Sequence, residues 1–111
     1  MAVAYKNAKL AGSGTISTYA TLYSTGAATT AVLSSITITN TGTADRIFRI
    51  GIMGSAGTPA VASGEALAWD FPLSPKDIIT VDALALGNTQ FIRCSSDSAE
   101  VNFMAFIAEI S

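Results

Sequence analysis

The 111 residues include six Lys and Arg against eight Asp and Glu, one Cys and no His, with half of the chain apolar and 13% charged. That length suits one domain with one core, and a half-apolar chain of net charge −2 can bury enough surface to offset its ordering entropy, which excludes a disordered tail. The same inventory excludes an internal disulfide and a Cys/His zinc site, and the lack of cationic excess argues against nucleic acid as a partner.

Thirteen Thr and eleven Ile against three Glu, three Lys and one Gln favour strands, because β-branched side chains suit a pleated surface. Residues 1–14 (MAVAYKNAKLAGSG) are small and weakly patterned. Lys6 and Lys9 break them before a signal-peptide core can form, so they read as an N-terminal arm or extension ordered by a neighbouring chain. Residues 15–111 then form a single domain. Strands are predicted at Ile16 to Ser24, Ala31 to Asn40, Asp45 to Met53, Ala66 to Phe71, Asp77 to Asp82, Thr89 to Cys94 and Ala99 to Ile110. Seven strands in so small a unit imply an all-β fold, an antiparallel two-sheet β-sandwich. Val32, Ile36 and Ile38 share one face of the second strand, and Phe48, Ile50 and Ile52 one face of the third. In the last strand Val101, Phe103, Ala105 and Ile107 alternate with Asn102, Met104, Phe106 and Ala108, so both faces are apolar. Such a strand is central or lies at a subunit interface, which makes Val101, Phe103, Met104 and Phe106 interface candidates.

Between the strands, Ser24-Thr25-Gly26, Asn40-Thr41-Gly42-Thr43 and Ser95-Ser96-Asp97-Ser98 carry turn chemistry, and the last two read as hairpin loops. Gly54 to Gly64 is the longest Gly- and Ala-rich stretch, and Pro72 and Pro75 bracket a rigid turn after Phe71. No window reaches the roughly 18 to 20 uninterrupted apolar residues of a bilayer span; Val101 to Ile110 contains Asn102 and Glu109, so no membrane partner is expected.

Reactive groups are sparse. Acid–base catalysis most often employs His, and none is present. Cys94, beside Phe91 and Ile92, reads as a buried apolar residue. Asp70, Asp77 and Asp82 lack calcium-loop spacing, and Asp77 reads as a turn residue. The Gly-rich stretches at Gly12 to Gly14 and Gly54 to Gly57 lack the ending of a phosphate loop. No catalytic residue, cofactor or metal is therefore expected. Asp45, Arg46 and Arg49 form the compact charged group, with Arg49 either a solvated edge residue or one half of an intersubunit salt bridge. Tyr19, Tyr23, Trp69 and Phe71 supply either a carbohydrate platform or core, and Trp69 and Phe71 are expected to point into the sandwich.

Read in serial order, Thr21-Leu22-Tyr23, Gly26 to Thr30, Asn40-Thr41-Gly42, Ile47-Phe48-Arg49-Ile50, Thr58-Pro59-Ala60, Trp69-Asp70-Phe71-Pro72-Leu73, Leu86-Gly87, Phe91-Ile92-Arg93 and Val101-Asn102-Phe103 form a pattern. It resembles the small β-sandwich structural proteins of tailed bacteriophages, of the capsid decoration or cement type. The resemblance covers about Thr15 to Ile110. This sequence has Gly87-Asn88-Thr89 where similar ones often place Gly-Asp, and residues 1–14 lie outside it. The resemblance implies a jelly-roll-like homotrimer on the virion, assembled in the bacterial host cytoplasm and binding the major capsid protein, with no catalytic residues to carry over. A second expectation is a receptor- or glycan-binding module of a tail fibre or baseplate, with Tyr19, Tyr23 or Trp69 as stacking surface.

Overall fold

Alternation dictates the layers. In the computed structural model, which describes residues 2–53 and 66–111, Ala31, Leu33, Ile36, Ile38 and Asn40 of one strand are buried while Val32 and Ser34 face outward. The strands are β1 (Val3–Ala11), β2 (Ala20–Ser24), β3 (Thr30–Asn40), β4 (Arg46–Met53), β5 (Ala66–Leu73), β6 (Ile78–Leu86), β7 (Phe91–Ser96) and β8 (Val101–Ile110). They form two four-stranded antiparallel sheets, ordered β1-β8-β3-β6 and β2-β7-β4-β5. The protein is an all-β sandwich.

Successive strands alternate between the sheets except β4 and β5, which are neighbours in one sheet. The core lies between the layers. Leu33, Ile36 and Ile38 of β3 and Val101, Phe103, Ala105 and Ile107 of β8 face Leu22, Phe48, Ile50, Leu73, Ile92 and Cys94 from the opposite sheet. The Phe48 ring sits edge-on to Phe103 at 6.1 Å and tilted against Phe71 at 5.6 Å. Each such side chain contributes about 1.5–3 kcal/mol on burial, and an Ala-rich chain depends heavily on these few large ones.

Several expectations are revised by this architecture. The segment read as an arm, residues 1–14, contains β1, which pairs with β8 of its own chain from Val3↔Ile110 to Ala11↔Asn102. The Asn40 and Ser95 loops are not hairpins: the first leads from β3 to β4 and the second from β7 to β8, each crossing between sheets. Pro72 lies within β5 rather than in a turn; β5 is a sheet edge, where a missing N–H is tolerated. The Gly54 to Gly64 stretch, with Gly54 to Gly57 and Thr58-Pro59-Ala60, lies outside the described residues.

Asn40 shows how the crossing is secured. Its fully buried side chain donates from Nδ2 to the carbonyls of Ala44 (2.8 Å) and Leu73 (3.1 Å) and accepts from the Gly42 N–H at Oδ1 (2.9 Å). One amide thus ties the end of β3 to its loop and to β5 of the other sheet.

Candidate assembly surfaces

The strand register sets which side chains share the outer face of the β1-β8-β3-β6 sheet. Tyr5, Ala108, Val32 and Ala85 lie in one row, and Lys9, Met104, Thr37 and Thr80 in another. Tyr5 (84% exposed), Val32, Ile78 and Phe106 all face solvent there. The Phe106 ring stands between two shallow grooves. One, of about 690 Å³, is lined by Tyr5, Asn7, Val32 and Ala108; the other, of about 420 Å³, by Lys9, Thr37, Thr39, Asn102 and Met104. An apolar set of this kind on a sheet already backed by a complete core is what partner surfaces are built from.

The predicted interface residues separate on this geometry. Met104 and Phe106 lie on the outer face, half-buried and exposed respectively. Val101 and Phe103 point inward, 0% and 1% exposed, and belong to the core, because period-two alternation sends odd and even residues of β8 to opposite faces. Val32, expected on one face with Ile36 and Ile38, instead faces outward, because the register shift between Leu33 and Ser35 reverses the faces of β3. The sequence does not single out Tyr5 or Ile78. Their signal is faint, since Tyr5 sits among small residues and Ile78 directly follows a turn.

Arg49 belongs to the other outer face, and a bulge builds its surroundings. Phe48 pairs with Phe71 and Ile50 with Ala68, so Arg49 alone faces two residues of β5, Trp69 and Asp70, with Asp70 in the left-handed region at φ 50°. That offset turns Trp69 outward, 42% exposed, while Phe71 still touches Phe48. Neither Trp69 nor Phe71, 45% exposed at the sheet edge although its ring meets Phe48, is the buried core residue expected from simple alternation. The Arg49 guanidinium lies 3.8 Å from the Trp69 ring centroid, donates to both Asp70 oxygens (2.6 and 3.3 Å) and donates to the Tyr19 hydroxyl (2.9 Å). The Asp70 and Tyr19 bonds hold Arg49 protonated beyond its ordinary range, against a smaller opposing effect of desolvation. The intersubunit salt bridge considered for Arg49 is met within the chain.

A second polar bridge joins the sheets at the far end of β8. The Tyr23 hydroxyl donates to Glu109 Oε2, and Lys6 Nζ lies 2.9 Å from Glu109 Oε1. Burial, then the Glu109 hydrogen bond, raises the Tyr23 pKa. The hydrogen bonds from Lys6 and then Tyr23 draw Glu109 below the usual carboxylate range, against weaker desolvation. Tyr23 is thus occupied by Glu109. Cys94 lies in the core at 1% exposure, where burial pushes its thiol pKa up and disfavours the reactive thiolate. Among the described residues no three of Asp, Glu and Cys gather closely enough to hold a metal ion.

No family model and no curated protein matches the chain. Among solved structures it is similar to a chain of the T13 particle of infectious bursal disease virus, at 12% identity and TM-score 0.52, over 96% of this chain and 30% of that one. It is also similar to a pentameric capsid protein from metagenomic phage sequences, at 16% identity and TM-score 0.47, over 93% of this chain and 60% of that one. The chain thus spans about three fifths of the phage protein and under one third of the viral one. At 12% identity the likeness to the viral-particle chain is one of fold alone.

Proposed function

We propose that this chain is a structural protein of a virus particle, acting as a homotrimeric cement or decoration protein on the major capsid shell of a phage. The observation that carries the reading is the apolar outer face of the β1-β8-β3-β6 sheet, where Tyr5, Val32, Ile78 and Phe106 are exposed on a molecule whose core is complete without them. The strand order supports it. Sheets ordered β1-β8-β3-β6 and β2-β7-β4-β5 follow the arrangement of an eight-stranded jelly roll, an architecture used by capsid domains. Many weakly bound copies on a symmetric shell add up to firm reinforcement. Light scattering on the purified chain tests the oligomer, and co-sedimentation with capsids lacking it tests the partner. A trimer that pellets with shells and raises their resistance to heat is the expected result; a monomer that stays in the supernatant overturns the proposal.

Trp69 favours a second reading, a receptor- or glycan-binding module of a tail fibre or baseplate. Its indole is exposed and clamped by Arg49, with Tyr19 and Asp70 providing hydrogen-bonding groups beside it. Since it is the sole Trp, its fluorescence reports binding directly. Saturable changes on titration with oligosaccharides, lost in Trp69→Ala, support this reading, and an unresponsive spectrum removes it.

A further inference from the structure

We infer that copies of this chain join head to tail, the free edge of β1 in one copy pairing antiparallel with the free edge of β6 in the next. The inference rests on the homo-oligomeric part of the proposed function and names the surface that serves it. Both strands are edges of the same sheet. Ala2 and Ser111 exchange backbone hydrogen bonds of 3.0 Å in each direction, and the Gly12 N–H reaches the Val101 carbonyl at 2.6 Å. Bonded pairs alternate along an antiparallel ladder, so Ala4, Lys6, Ala8 and Leu10 bond to β8 while the backbone groups of Tyr5, Asn7 and Lys9 point away from the sheet. On β6, the Asn40 N–H donates to the Asp77 carbonyl at 3.1 Å. By the same alternation Ile79 and Val81 bond to β3, and the backbone of Ile78, Thr80 and Asp82 is turned outward. Each edge therefore presents donors and acceptors without a partner in its own sheet.

Direction and charge select the pairing. Three successive antiparallel pairings separate β1 from β6, so the two run in opposite directions, and a copy laid alongside in the same orientation meets its neighbour antiparallel. Without a shift, Lys9 falls beside Thr80 and Asn7 beside Asp82 of the next copy, which leaves Lys9 diagonal to Asp82 and within reach of its carboxylate. Lys6 is already paired with Glu109, whereas Lys9 and Asp82 make no ion pair among the described residues. One edge thus offers a cation and the other an anion. Pairing β1 with β1 or β6 with β6 brings like charges to one edge, whereas the mixed pairing brings opposite ones.

Sedimentation of the full chain across a range of concentrations tests this. Lys9→Glu and Asp82→Lys should each weaken self-association by about three- to tenfold, and the double variant should restore it. Asn7→Pro and Thr80→Pro remove N–H groups that the chain's own sheets do not use, so both should fold, by circular dichroism, yet associate poorly. Association unaffected by all four variants, or single variants not rescued by the double, overturns the edge pairing and leaves the homo-oligomer standing. A monomeric parent chain overturns both.

Discussion

At the scale of single residues, the polar groups that matter are those that cannot be exchanged for something of similar size. Asn40 is fully buried and satisfies the buried Leu73 carbonyl and Gly42 N–H as well as the partly buried Ala44 carbonyl. Asn40→Ala removes the side-chain hydrogen bonds to the buried Leu73 carbonyl and Gly42 N–H and should lower stability by about 2–4 kcal/mol, read as a shifted denaturant midpoint at unchanged slope. Glu109 makes a different prediction, in pH. Its pKa is lower in the fold than in the unfolded chain because Lys6 and Tyr23 hold the charged form. Its contribution is therefore complete above the ordinary carboxylate range and is lost as the pH falls through the folded value, since the unfolded chain takes up the proton first. Melting temperatures followed below about pH 5 should fall less steeply for Glu109→Gln than for the parent. A parallel decline in both proteins would place the acid sensitivity elsewhere.

Elements add constraints that no single residue carries, and the junction after β1 is the tightest. A Cβ on Gly12 would stand 2.2 Å from the Ser98 carbonyl oxygen and 2.9 Å from that of Val101, both backbone atoms that cannot swing aside. Gly12→Ala should therefore push β1 off the start of β8, with a loss of a few kcal/mol and faster amide exchange along β1. Gly14→Ala, where φ is +84° in open space, should cost only about 1 kcal/mol. Strand positions were legible in the sequence wherever one face is buried, as in β3 and β4, because the buried face writes an alternation that the exposed face does not share. β1 was illegible as a strand for the same reason, being exposed along most of its length with a lysine, Lys6, at an inward position. Turn chemistry located the loops and misassigned two of them: the Asn and Gly that close a hairpin also serve a crossing between sheets, and only the pairing partners distinguish the two. The candidate surfaces were half legible. Met104 and Phe106 follow from apolar residues on a second face, whereas the outward turn of Trp69 depends on the bulge at Asp70, which alternation does not register.

At the scale of the whole molecule, the first and last strands are partners, and the chain closes on itself through the bonds between Ala2 and Ser111. Bringing ends about a hundred residues apart together costs roughly 4 kcal/mol in loop closure, and sheets built from such distant pairs fold slowly, in milliseconds to seconds. The strand that pays for this closure is β1, and what it protects is β8. Inward, Ala8 and Leu10 cover part of the core beside Phe103 and Ala105; along its edge, β1 occupies every backbone group that β8 would otherwise expose. β8 is the most hazardous strand to uncover, since Met104, Phe106 and Ala108 lie on one face and Phe103, Ala105 and Ile107 on the other. Deleting residues 2–11 should therefore lower the denaturant midpoint and, more tellingly, replace any defined oligomer with open-ended aggregation detectable by light scattering at low micromolar concentration. Placing a charge on the exposed β8 edge, by Phe106→Lys in the truncated chain, should slow that aggregation without restoring the midpoint, because it blocks the edge and leaves the core uncovered. A truncated chain that stays monodisperse with the parent midpoint would show that β1 neither seals the core nor guards the edge.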